Sequence, residues 1–393
     1  EMDLNNADLV ALELNRRDSV SRLAMRFRAH ATGTTLDNIN GTAAIDSLSY
    51  VNHIDTVHTG VIHFEAQNTP QSKRLIMRSD FADSELRGSN SYNHIFRFFG
   101  QTLKQYLPSM PAGTASPTAG EGTAEEEQTE EGSQPSPAEG DPAGEGAEAE
   151  NGYYLVKLNV KQANNVAAIF VPGLEIAEGS SLAFLFNPYL NDFSLSVKSD
   201  YILQRQFYIG NLVVECRNQA DSVSIYASAD QFGVGNIDLP NLSVVGGIRD
   251  NRIALATRFR NPDNGANALI STSTTFGRSV DGLPQMDVAL NPTTFFVGGQ
   301  LWYITPSHVV LDSTGIDFHR FRLWGEGQEL SINGRASASE EDTLQIRMQN
   351  FDLSPLTRLV SRQGYRVAGR MGGDATFVAP LGAMQFQADM SIG

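Results

Sequence analysis

DFSLSVKSD, Asp192 to Asp200, decides the fold. Phe193, Leu195 and Val197 alternate with Ser194, Ser196 and Lys198. A period of two places the apolar side chains on one face of an extended strand and the polar ones on the other. Thirty residues further on, DSVSIYASAD (Asp221–Asp230) repeats the pattern, with Val223, Ile225, Ala227 and Ala229 set against Ser222, Ser224 and Ser228.

Working outward, the same alternation runs through both halves of the chain. Leu23, Met25, Phe27, Ala29 and Ala31 alternate with Arg26, Arg28 and His30, and Ile62, Phe64 and Ala66 with His63, Glu65 and Gln67. Ile253, Leu255 and Phe259 are flanked by Arg252 and Arg258. Leu344, Ile346 and Met348 are set against Gln345, Arg347 and Gln349, and Phe386, Ala388 and Met390 against Gln385, Gln387 and Asp389. Turn residues separate these runs at Asn38–Gly41, Asp250–Asn251, Asn261–Gly265, Gly325–Gly327 and Gly372–Asp374. A spacing of about 8–12 residues between turns suits an antiparallel meander. Loosely similar units (LPNLSVVGGIRDNRIALATRF, IDFHRFRLWGEGQELSINGRA) predict a quasi-linear array of strands.

Three short segments read as helices: Ser91–Leu107, stopped by Pro108; Asn164–Val171, ahead of Pro172-Gly173; and Ser354–Ser361, with a Ser cap and Pro at the first helical position. Between Pro108 and Gly152 lies a Pro-, Gly-, Ala- and Glu-rich stretch with no aromatic or β-branched apolar residue after Met110. It cannot bury enough surface to offset the entropy of ordering and is expected to be an acidic, disordered linker. The expected division is 1–107, an N-terminal β section ending in a helix; 108–152, the linker; and 153–393, a C-terminal β section.

The formal net charge is −16, and eleven of those negative charges fall between Glu121 and Glu150, where there is no Lys or Arg. The remainder is close to neutral for its size, which argues against a nucleic-acid partner. Cys216 is the only cysteine, so no disulfide framework exists within the chain, and its place in the alternation Leu212, Val214, Cys216 makes it a core residue. No run approaches the roughly 18 apolar residues of a spanning helix. The opening at Glu1 shows no signal-peptide pattern, so any targeting segment is expected elsewhere. His53, His58 and His63 are too far out of phase to share a strand face and read as wetted positions rather than a metal site. Gly325–Glu329 and Gly372–Thr376 are turns before strands, not phosphate loops before helices. Asp312, Asp317, Glu326 and Glu329 flank turns at surface-type positions. Neither a catalytic group nor a cofactor is expected.

The C-terminal run LSINGRASASEEDTLQIRMQNFDLSPLTRLVSRQGYRVAGRMGGDATFVAPLGAMQFQADMSI, Leu330 to Ile392, resembles the TamB family of Bacteroidetes-type bacteria. The matching positions are Asn350-Phe351-Asp352-Leu353-Ser354-Pro355-Leu356, then Gly364-Tyr365, Gly369 and Gly373-Asp374-Ala375, then Phe386, Ala388 and Asp389. Ala31–Tyr50 and LIMRSDFADSELRGSNSY are also similar, as is Ile169–Asn187 (IFVPGLEIAEGSSLAFLFN), so the resemblance spans most of the chain outside the linker. Neither an outer-membrane docking domain nor an inner-membrane anchor is evident, and the chain reads as a middle section.

The resemblance implies an AsmA-like bridge protein of the Gram-negative periplasm, anchored in the inner membrane through a segment outside this sequence. Its partners would be phospholipid and an outer-membrane barrel of the BamA/TamA type. The implied fold is mainly β: an elongated, twisted antiparallel sheet curled into an apolar trough (a β-taco) with a few short helices. Residues expected to line the trough are Phe27, Phe184, Phe186, Phe193, Leu195, Val197, Leu212, Val214, Ile225, Ile253, Leu255, Phe259, Leu344, Ile346, Met348 and Phe386. The same pattern would serve the dry core of a β-sandwich, and pattern alone leaves that alternative open. Two further readings stand beside lipid transport: a scaffold for outer-membrane protein or autotransporter secretion through exposed strand edges, and an adhesin-like array. The last needs exposed aromatic platforms, whereas Trp302 and Trp324 both sit in apolar strand contexts that predict core packing.

Overall fold

The computed structural model describes residues 1–13, 19–53, 56–110, 152–205, 207–219, 221–235, 237–263, 265–279, 282–297, 299–353 and 369–393. The first alternating segments form β1 (Met2–Asp8), β2 (Ser21–Thr32), β3 (Asn40–Asn52), β4 (Thr56–Thr59), β5 (Ile62–Asn68), β6 (Lys73–Arg78) and β7 (Ala82–Gly88). A short 3-10 turn leads into helix α1 (Ile95–Tyr106). There follow β8 (Tyr154–Val160), helix α2 (Asn164–Phe170), β9 (Leu174–Ile176), β10 (Ser181–Asn187), β11 (Asp192–Gln204), β12 (Phe207–Gln219), β13 (Ser222–Val234), β14 (Ile237–Arg249), β15 (Arg252–Arg260) and β16 (Asn267–Arg278). The chain continues through β17 (Pro284–Leu290), β18 (Thr293–Val297), β19 (Gln300–Ile304), β20 (Ser307–Asp312), β21 (Gly315–Gly325), β22 (Gln328–Ser337), β23 (Thr343–Asp352), β24 (Arg370–Val378) and β25 (Gln385–Ile392).

Among the described residues these 25 strands make one antiparallel sheet. It is a plain meander. Four of its paths are broken in two: β4 and β5 both lie along β3, β9 and β10 along β11, β17 and β18 along β16, and β19 and β20 along β21. Counted as paths, each strand pairs with its neighbours in sequence. Tight turns make that cheap: Asp250 and Asn251 (φ 50° and 61°) and Glu326 and Gly327 (φ 46° and 78°) are two-residue hairpin loops of the left-handed kind that matches strand twist. The sheet does not stop at the acidic stretch. β7 pairs with β8, Leu86 opposite Val156, so the sections on either side are one sheet. Residues 111–151, the bulk of the expected linker, lie outside the described residues, as does the expected helix at Ser354–Ser361.

The sheet is creased. β12 carries a left-handed Asn211 (φ 50°), β14 Asn241 (φ 52°), β21 Arg320 (φ 56°) and β23 Asn350 (φ 47°). The pairing slips at the latter two, between Phe318 and Phe321 and between Met348 and Phe351. The path of β17 and β18 breaks at Asn291-Pro292, and that of β19 and β20 at Thr305-Pro306. An extra residue bends a strand and advances its side-chain alternation by one. The apolar series therefore changes phase within single strands: Leu212, Val214 and Cys216 on one arm of β12 continue as Ile209 and Phe207 on the other. In β21, Ile316 and Phe318 continue as Phe321 and Leu323. The phase change keeps both arms apolar on the same side while the sheet folds along the crease, which is how one sheet makes a trough.

Helix α1 forms four residues later than the Ser91 start expected from the sequence. Ser91 makes no cap. Instead the Asp37 carboxylate, from the β2–β3 turn, accepts hydrogen bonds from Ser91 Oγ (2.5 Å) and the Tyr92 amide (2.8 Å), fixing the chain as it leaves the sheet. α2 matches the expected Asn164–Val171 to within one residue.

Candidate functional site

Register places all sixteen expected trough residues on one face. Phe27 lies opposite Met2 and Ile45; Phe184 and Phe186 lie opposite Leu195 and Phe193. Leu195 lies opposite Cys216, and Val197 opposite Val214, with Leu212 next in the series. Across the following strands Cys216 meets Ile225, Ile225 meets Gly246, and Gly246 meets Leu255. Ile253 and Phe259 share the phase of Leu255. At the C-terminal end Leu344, Ile346 and Met348 lie opposite Phe377, Ala375 and Gly373, and Phe377 lies opposite Phe386. Away from its rim, where Lys73 and Arg278 sit, this face carries no Asp, Glu, Lys or Arg in any described strand.

Apart from these two, charge lies on the other face. Ion pairs there bridge neighbouring strands: Arg26–Asp3 (3.2 Å), Arg74–Glu85 (2.9 Å), Arg322–Glu329 (2.7 Å) and Arg347–Asp374 (2.5 Å). Exposed pairs of this kind add little to stability; their importance is that they mark the wetted side. Asp312 is the exception. Hydrogen bonds from the Thr314 hydroxyl (2.6 Å) and, against the opposing effect of burial, from Arg335 (2.9 Å) hold its carboxyl well below the usual carboxylate range. Arg335 also reaches Asp342 (3.3 Å), so the turns at 312–315 and 337–343 are tied together. His30, His58 and His63 are exposed, and no cluster of potential metal ligands occurs among the described residues.

The apolar face is sealed under α1 and at a second cluster around Trp302 and Phe351, and is half-buried over much of the rest. Phe186 (0% exposed) and Phe193 (3%) are buried under α1, with Tyr154, Val223, Ile248, Tyr106 and Leu107. Phe99 of α1 stands edge-on to Phe184, Phe186 and Phe193 at centroid distances of 5.2, 5.5 and 5.2 Å. Such edge-to-face contacts add to the area they bury. Burial pushes the Tyr154 hydroxyl up to about 12 and raises the Cys216 thiol, which packs against the same cluster. The other expected residues are half-buried, except Phe386, which is 66% exposed. A dry sandwich core would have sealed them. The described strands belong to a single sheet.

Trp324 corrects an expectation. Trp302 is buried with Phe351 and Leu353, but Trp324 is 37% exposed on the polar face, stacked on Tyr303 at 4.4 Å. The bulge at Arg320 turns Phe321 and Leu323 inward, and Trp324 therefore points out. Reading the alternation in a single phase also missed the inward residues beyond the crease: Phe207, Ile209, Phe232, Leu239, Phe321 and Leu323. The one-residue slip in the apolar series was the available signal.

Two shallow hollows, about 330 Å³ beside Ser331, Asn333, Arg347 and Asp374 and about 560 Å³ beside Ala254, Ala256, Ser271 and Ser273, are formed mainly on the polar face. The first is lined mainly by polar groups, and the second by small residues with Val245 and Leu255. No family model, no curated protein and no solved structure matches this chain.

Proposed function

We infer that this chain is a section of a bridge-type lipid carrier, similar to the TamB group, that conducts phospholipid along its apolar face across the periplasm towards an outer-membrane barrel partner. One observation carries the reading: an apolar face, free of charge away from its rim, continues through the described strands of a single sheet and stays half-buried over much of its length. An isolated domain would not leave such a surface to water. Burial of each acyl CH₂ is worth about 0.8 kcal/mol, so lipid tails are natural occupants, and a face without fixed charges holds them without a deep well at any one strand. The headgroup would remain at the open side, in water. Native mass spectrometry of the protein purified in mild detergent, with lipid extraction in parallel, tests the reading. The expected result is phospholipid bound to the chain; recovery of lipid-free protein after exposure to phospholipid vesicles would refute it.

A further inference from the structure

Helix α1 lies on the face that the proposed function assigns to lipid. Its apolar side chains Ile95, Phe98, Phe99 and Leu103 pack onto the cluster formed by β8, β10, β11, β13 and β14. The same rows of the sheet, followed towards the crease, are uncovered at Leu195, Val197, Leu212 and Val214. Covered and uncovered stretches are chemically continuous, so α1 occupies a surface that would otherwise be trough.

The Asp37 carboxylate holds the entry to the helix, whereas the bonds described along its C-terminal half are made by neutral groups. Asn191, in the β10–β11 turn, accepts from Gln105 Nε2 (3.1 Å) and Thr102 Oγ1 (3.4 Å). Asn218 Nδ2 donates to the Tyr106 hydroxyl (3.1 Å). In the β14–β15 turn, the Asn251 amide donates to the Tyr106 carbonyl (2.9 Å), and Asn251 Oδ1 accepts from the Ser109 amide (3.1 Å). Asn191 and Asn251 in turns, with Asn218 at the end of β12, thus form a latch along one edge. No ion pair adds to it among the described residues: Arg97 lies over the Phe98 ring (5.3 Å) and Lys104 makes no salt bridge. A latch of amide hydrogen bonds can be broken without stranding a buried charge.

We propose that α1 is a lid, an occupant built into the chain that competes with acyl chains for the aromatic end of the trough and is released by opening the asparagine latch. This rests on the lipid-carrier reading. When α1 is down, the trough over β8–β14 is narrowed to its uncovered arm. When α1 lifts, Phe184, Phe186 and Phe193 become available to an acyl chain, and the conduit reaches its full width.

The test reads the lid separately from the lipid. Val223 is sealed beneath α1, 1% exposed, and Ala375, 4% exposed, is also buried on β24, far along the meander. Thiol modification is measured on the full chain, in a Cys216→Ala background, at Val223→Cys and, as a control for general loosening, at Ala375→Cys. The latch is weakened by Asn191→Gly with Asn251→Gly; both positions have left-handed backbone (φ 51° and 61°), which glycine adopts freely, and Asn251→Gly also removes the bond from Asn251 Nδ2 to the Phe276 carbonyl (2.6 Å) within the sheet. Gln105→Ala weakens the latch from the helix side without touching the sheet. Loss of the side-chain bonds is expected to raise the modification rate at position 223 about tenfold, with a smaller rise for Gln105→Ala, no change at position 375 and an unchanged circular dichroism spectrum. A rate at 223 that ignores the latch, or equal acceleration at both sites, overturns the lid. Phosphatidylethanolamine–phosphatidylglycerol vesicles are then offered to both proteins. The latch variant should retain more lipid per chain than wild type, and equal loading overturns the competition. Absence of lipid from both refutes the carrier reading, while the thiol rates still decide whether α1 opens.

Discussion

Leu255 and Ala254 are adjacent on β15 and face opposite ways, which makes them a direct test of whether the apolar face is a trough or a core. Leu255 lies between Gly246 and Thr272 and is half-buried; Ala254 is exposed among the serines of the polar face. Full burial of a leucine side chain contributes about 1.5–3 kcal/mol, so half of that, about 1–1.5 kcal/mol, is lost in Leu255→Glu. In an open trough the glutamate carboxylate swings to water, with its methylenes still on the sheet, and the total loss stays near 1–2 kcal/mol. In a closed core the charge would be trapped, at a cost above about 4 kcal/mol. Against an acyl chain the same carboxylate loses its hydration, so lipid passing β15 meets a barrier of several kcal/mol. Ala254→Glu should change stability by less than about 0.5 kcal/mol and leave lipid loading intact. Urea unfolding of the three proteins, with phospholipid quantified by mass spectrometry, gives both numbers. A folded Leu255→Glu protein that loads lipid as wild type does would refute the conduit. Failure of that variant to fold would refute the open trough.

The sealed region should respond differently: Phe186→Ala, beneath α1, is expected to cost about 3–5 kcal/mol, and Leu344→Ala, on the open part, roughly half as much by the same urea measurement. At the crease, Asn350→Gly should be close to neutral and Asn350→Val should cost about 1–2 kcal/mol, because a β-branched residue is poorly suited to φ 47°. Gly246→Ala should destabilise by about 3 kcal/mol, since a Cβ there would fall 2.0 Å from the Ala254 carbonyl oxygen and force β14 and β15 apart. The Asp312 carboxyl titrates lower in the folded chain than in the unfolded one, so its contribution is complete above the unfolded value near pH ~4 and disappears as pH falls through the folded value. Asp312→Asn should therefore lower the melting temperature at neutral pH and make the wild-type and variant curves converge under acid.

Most of the sheet could be read from the chain because the determinants are local. Phe193–Val197 and Val223–Ala229 alternate within single strands, and Asp250-Asn251 closes a hairpin with no outside help. The crease was harder to read. Asn211 and Asn350 appear in sequence as ordinary polar residues inside strands, and only the phase change across them, from Ile209 to Leu212 or from Met348 to Phe351, betrays a bulge. Trp324 was misplaced for the same reason. The amphipathic stripe of α1 was legible, but its landing place was not. Its contacts with Phe186, Val223 and Ile248 span many strands, and no spacing encodes a contact with a partner so distant in the chain.

These limits follow from the architecture. In a meander every strand is positioned by its neighbours, so local patterns determine the sheet but say nothing about what covers it. A sandwich solves that problem by folding one part of the sheet over another, which would leave Leu195, Leu255 and Ile346 equally sealed. Here the only cover over the long apolar face in the described strands β8–β14 is twelve residues of helix, fixed to the rim by amides. Cover of that length spans about 18 Å, less than the six strand paths it would need to close at about 4.8 Å each. The uncovered remainder must meet something apolar or stay half-wetted. Its freedom from charge across strand after strand makes a mobile, interchangeable apolar cargo a better match than a single fixed partner, whose polar rim would call for matching charges on this face.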